Sequence, residues 1–193
     1  AAAAASADTT YTIDNSCRFN SADDAYMSRT YGSGGNQDLW TLSFWLKRCK
    51  FATDTYVFGS GADANNTFDV VFNTSDQLRV WNYVGSFQTN LITTQVFRDP
   101  SAWYHIVVVY DSAQAVDADR VTVYLNGSEI TDFGTATYPS QNGDSIVGSN
   151  TEIGFGRYIS NGSAPADIYH AECNFINGSA QAVTAFGETN DDG

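Results

Sequence analysis

Residues 103–111 read WYHIVVVYD, and this stretch restricts the fold more than any other. A run so rich in β-branched and aromatic side chains is a strand. Alternation puts Tyr104, Ile106, Val108 and Tyr110 on one face, with Trp103, His105, Val107 and Val109 on the other. Both faces are apolar apart from one histidine. Such a strand belongs in the middle of a sheet that is covered on each side. Asp111-Ser112 ends it with turn-forming chemistry.

The same logic extends along the chain. In WTLSFWLKR, residues 40–48, Leu42, Phe44 and Leu46 alternate with Thr41, Ser43, Trp45 and Lys47. Phe68, Val70 and Phe72 share a face in TFDVVFN. Leu78, Val80 and Asn82 oppose Arg79, Trp81 and Tyr83 in the next strand. Val121, Val123 and Leu125 alternate up to Asn126-Gly127, a pair suited to a tight type I′ hairpin turn. In the last strand, Tyr169, Ala171, Cys173 and Phe175 form the more apolar set and are expected to face the core. Ile168, His170, Glu172 and Asn174 are then expected to face solvent or a groove. Helix-favouring residues are thin: Glu occurs only at 129, 152, 172 and 188, and Lys only at 47 and 50. About a dozen short strands with turn signals between them define an all-β fold, a two-sheet antiparallel β-sandwich of jelly-roll type. The expected organisation is a linker or poorly ordered tail over 1–10, one domain over 11–187, and a polar tail over 188–193 beyond which the chain continues.

Charge and motif content exclude several functions. The chain carries 22 acidic and 9 basic residues, a formal charge of −13. No basic stripe exists to replace phosphate counterions, so nucleic acid is not an expected partner, and no apolar run is long enough for membrane insertion. Cys17, Cys49 and Cys173 lack metal-ligand spacing and are expected to be free. The sequons at Asn126, Asn161 and Asn177 are Asn-Gly pairs that read first as turns, and Asn65 and Asn73 also match the sequon. His105 and His170 are the only histidines, and neither sits beside a nucleophile motif. His105 reads as a core or interface residue and His170 as surface-facing. Glycoside cleavage needs two carboxyls flanking one bond. The four glutamates are scattered, and only Glu152 and Glu172 could meet across strands. No cofactor is expected. Calcium is the one metal considered, with Asp63, Asp117 and Asp119 as weak ligand candidates in acidic loops.

The segments TLSFWLKR, FRDPSAWYHIVVVYDS, RVTVYLNGSEI, IGFGR and ADIYHAECNFINGSA, in this order, resemble the laminin-G-like, concanavalin-A-like lectin/glucanase superfamily over roughly residues 16–186. Within it, RFNSADDAYMSRT, FRDPSAWYHIV and AECNFINGSAQAVTAFGET are similar to modules of virion proteins from marine bacteriophages. The resemblance implies a concanavalin-A-like sandwich without catalysis, at the surface of an extracellular particle. Its implied role is host-surface glycan adhesion in a tail fibre or appendage, or alternatively structural decoration. Other virion subunits, including further copies of the chain, are the implied protein partners.

Sugar recognition uses aromatic faces against C–H faces, and Arg, Asn or Asp against hydroxyls. Arg79, Trp81 and Tyr83 share the outward face of one strand. Tyr124 lies opposite the core face of its own strand, and Arg157 and Tyr158 flank the SNGSAPAD loop. These six are the candidate ligand-binding residues.

Overall fold

The computed structural model describes residues 15–30 and 32–187. The expected N-terminal tail, residues 11–14 of the expected domain and the 188–193 tail lie outside the described residues. The strands are β1 (Cys17–Phe19), β2 (Met27–Thr30), β3 (Leu39–Arg48), β4 (Thr55–Asp63), β5 (Asn66–Phe72), β6 (Gln77–Val84) and β7 (Phe87–Val96). They continue with β8 (Tyr104–Asp111), β9 (Val121–Leu125), β10 (Ser128–Glu129), β11 (Phe133–Thr137), β12 (Glu152–Phe155) and β13 (Ile168–Asn177). One sheet has the order β1-β13-β3-β8-β9-β10, and the other β11-β7-β6-β5-β4-β12-β2. Every strand pairing in the two sheets is antiparallel. No helix among the described residues is long and apolar enough to cross a membrane.

The core lies between the sheets. Leu42, Phe44, Leu46, Ile106, Val108 and Tyr110 meet Phe68, Val70, Phe72, Leu78, Val80 and Leu91, all essentially without exposure. Each such side chain contributes about 1.5–3 kcal/mol relative to exposure. Trp40 stacks on Tyr110 at 5.3 Å and meets the Phe68 edge at 5.1 Å. Its Nε1 donates to Ser145 Oγ at 2.9 Å, which satisfies the indole. β8 takes the central place expected of it, between β3 and β9. At the β9–β10 hairpin, Asn126 and Gly127 take φ of 49° and 83°, the double positive φ that a type I′ turn needs.

Alternation also carries Arg48 onto the core face at the end of β3, where it is fully buried. Its Nη1 donates to Phe97 O at 2.6 Å, and its Nη2 donates to Lys50 O at 3.1 Å and Asp76 Oδ1 at 3.0 Å. Arg98 Nε donates to the other Asp76 oxygen at 2.9 Å. Burial lowers the Arg48 pKa. Burial also pushes Asp76 upward, but the Ala52 N–H and the two arginines outweigh it and hold the carboxyl below its ordinary range. The cluster ties β3 of one sheet to the β5–β6 turn of the other.

Two expectations for β13 are corrected. Ile168 and His170 face the core, with 0 % and 1 % exposure, and Tyr169 faces outward against Trp103. The cause is a bulge between Ala171 and Asn174, with Glu172 at φ 48°. An extra residue switches the faces, so Phe175 still packs on the core although His170 does too. His170 is therefore a core residue ringed by Phe19, Phe44 and Phe155, and not a surface one. Desolvation lowers its pKa to about 3. His105 is buried on the outer face of the six-stranded sheet, where Nε2 shares a 2.9 Å hydrogen bond with Ser43 Oγ and the ring stacks on Trp45 at 4.9 Å.

Candidate functional site

The outer face of the seven-stranded sheet gathers polar and aromatic groups. Register sets it out strand by strand. Gly59 lies opposite Asp69, which lies opposite Trp81, which lies opposite Asn90. One step along, Tyr56, Val71, Arg79 and Ile92 form the next row. Tyr83 pairs with Phe87, and their rings meet edge-on at 5.0 Å.

Glycines on β4 let a loop lie on this face. A Cβ on Gly59 would stand 2.7 Å from Asp69 Oδ1 and 3.4 Å from Ile159. A Cβ on Gly61 would stand 2.7 Å from Asn66 O. Without those side chains, the 156–163 loop folds back from β12 and buries Ile159. The loop sets Tyr158 against Tyr56 at 4.6 Å between ring centroids. Its Ser160 Oγ donates to Thr67 Oγ1 at 2.6 Å, and Thr67 Oγ1 donates to Asp69 Oδ2 at 2.7 Å.

Asp69 has no exposed surface. Burial raises its pKa to about 7, against the opposing effects of the Thr67 hydroxyl, the Trp81 indole and the Arg79 charge. The Asp69 Oδ1 and Trp81 Nε1 atoms, on cross-strand neighbours, are both buried without a hydrogen bond of good geometry. The guanidinium of Arg79 lies over Trp81 at 4.2 Å and over Phe87 at 5.0 Å. Its Nε donates to Asn90 Oδ1 at 2.8 Å. Phe87 is 41 % exposed, while Trp81, Tyr83 and Tyr56 are half-buried.

Of the residues singled out from sequence, Arg79, Trp81, Tyr83 and Tyr158 come together here. Tyr124 does not: it sits on the six-stranded sheet, opposite Val107 and Glu129. Arg157 also turns away, its guanidinium 3.3 Å above the Tyr26 ring next to β2. The sequence reading missed Tyr56, Asp69, Phe87 and Asn90. A buried-strand pattern broken by one charge, TFDVVF, was the available signal for Asp69.

In the acidic loops, carboxylates accept from backbone N–H groups of their own turns. Asp63 Oδ1 accepts from Asn65 N at 2.7 Å within its own hairpin, and Asp117 Oδ1 accepts from Ala118 N at 2.8 Å. No group of three or more His, Cys, Asp or Glu side chains suited to a metal ion occurs among the described residues. Glu152 and Glu172 lie on different sheets, so they do not meet as cross-strand partners.

Among solved structures, domain 4 of AbnA, an extracellular arabinanase from Geobacillus stearothermophilus held with arabinotriose, is similar at TM-score 0.59. It is 20 % identical, over 79 % of this chain and 68 % of that one. The LG4-5 domains of the mouse laminin α1 chain give TM-score 0.58 at 12 % identity, over 89 % and 44 %. The CBM40 of the Ruminococcus gnavus IT-sialidase, bound to α2,3-sialyllactose, gives 0.53 at 12 % identity, over 86 % and 99 %. At these identities the likeness is one of fold. No curated protein matches the chain in sequence. The sequence profile of Laminin_G_3 matches residues 20–163, and with the two-sheet sandwich this places the chain in the Concanavalin A-like lectin/glucanases superfamily.

Proposed function

We propose that this domain is a non-catalytic recognition module that binds a host-surface glycan through the outer face of its seven-stranded sheet, as part of a virion fibre or appendage. The observation that carries the reading is the Arg79–Trp81–Phe87 surface with the half-buried Tyr56 ring beside it, which the buried Tyr158 backs. It offers ring faces, a fixed guanidinium and hydroxyls on one rigid sheet. Likeness to modules held with arabinotriose and with sialyllactose supports the glycan part. The virion setting rests on the resemblance of FRDPSAW and FINGSA to phage modules. Catalysis is disfavoured because Asp69, the carboxyl at the centre of this face, is fully buried and cannot flank a glycosidic bond. Binding needs no cofactor, so EDTA leaves it unchanged.

A glycan array probed with the chain tests the reading, with Trp81→Ala as control. Binding that the substitution abolishes supports it, and a blank array overturns it. A second reading, an assembly module, draws on the outer face of the other sheet. There Trp103 is 36 % exposed beside Tyr169, and Arg18 lies 5.7 Å above the Tyr169 ring. Self-association abolished by Trp103→Ala, together with a blank array, would favour it.

A further inference from the structure

We propose, building on the glycan reading, that the saccharide is an acidic one and that Arg79 holds its carboxylate or sulfate. The guanidinium is positioned before any ligand arrives. Trp81 and Phe87 fix its plane, and Asn90 takes its Nε proton. Both Nη groups are left over: neither bonds a described residue, and neither is among the buried unpartnered atoms, so both reach the surface. A planar fork with two free N–H groups fits an oxyanion bidentately, which a neutral hydroxyl cannot match.

The charge also lacks a contact partner: among the described residues, no acidic side chain lies within salt-bridge distance of Arg79. Burial lowers its pKa, and acidic groups beyond contact distance, the exposed Asp54 among them, oppose that. Asp69 is the nearest of these in register, diagonal to Arg79 across β5 and β6. It keeps its proton up to about pH 7 and so does not neutralise the guanidinium below that. A partly desolvated cation with no carboxylate in contact gains from a ligand anion. The net charge of −13 acts against this only weakly, because fields from distant exposed charges fade beyond about 8 Å at physiological salt.

The test is a ¹⁵N NMR titration that follows the Arg79 Nε–H and Trp81 Nε1–H signals, assigned with Arg79→Gln and Trp81→Phe. The probes are sodium glucuronate, glucose 6-sulfate and glucose, at matched sodium chloride and pH 6. The expected result is a saturable Arg79 shift with one or both acidic sugars, tighter than glucose by roughly tenfold, as for a charge-assisted pair. Arg79→Gln should remove that preference, leaving acidic and neutral sugars bound alike. Glucuronate against glucose 6-sulfate tells carboxylate from sulfate. Equal Trp81 responses to all three sugars, with no selective Arg79 shift, would overturn the acidic-ligand proposal and leave the glycan face standing. Equal shifts with chloride alone would overturn it as a nonspecific ion effect. Silence of both signals with every sugar would overturn the proposal and the glycan reading together.

Discussion

Arg48 and Asp76 show what a buried charge requires. Each is nearly unexposed, and every oxygen of Asp76 has a donor. Removing Asp76 leaves a buried guanidinium without compensation, so Asp76→Ala should cost about 3–5 kcal/mol in urea unfolding. A loss under 1 kcal/mol would mean that the carbonyls of Phe97 and Lys50 suffice. Two other buried groups set opposing pH dependences. The unfolded chain protonates His170 near 6.5, but the folded ring resists until about 3, so its contribution is lost as pH falls through that window. The folded-state pKa of Asp69 is raised to about 7 from an unfolded value near 3.8, so its contribution is full below that and is lost as pH rises to about 7. Asp69→Asn should therefore gain stability on the wild type between pH 4 and 7, by up to about 1.4 kcal/mol per unit. Parallel stability curves for the two proteins would refute the assignment.

At the scale of elements, the faces of β3, β5, β6 and β8 could be read directly, because alternation is local and the β3–β8 and β5–β6 pairings hold a regular register. β13 could not. One extra residue at its bulge inverts the pattern, and sequence alternation has no mark for it beyond Glu172 in a left-handed conformation. Glu172→Gly should raise stability by about 0.5–1 kcal/mol by relieving that conformation. A fall would show that the glutamate side chain holds the bulge. The 156–163 loop depends on absent side chains below it. Gly59→Val should push Ile159 outward and part Tyr158 from Tyr56. It should weaken glycan binding at least tenfold, while the cost to stability, read in a thermal melt, stays near 1–3 kcal/mol. Unchanged binding would separate the loop from the site.

For the molecule as a whole, fold class was legible while the grouping of site residues was only half so. Arg79, Trp81 and Tyr83 share a strand, so alternation alone kept them together. Tyr124 looked equivalent to them on its own strand, but which sheet a strand joins is decided by pairing far along the chain. The position of β1 has a mechanical meaning. It holds the sheet edge through three register pairs to β13, whereas β13 is held by β3 through eight and by Thr41, whose side chain bonds Ser179 O and Gln181 N. In antiparallel neighbours the start of one strand and the end of the other lie at the same end. Tension applied through the segments flanking β1 and β13 therefore opens their bonds one after another from Cys17, like a zipper, and does not shear them all at once. A chain of such domains under load would yield first at this strand, giving a little length while the rest of the sandwich stays folded.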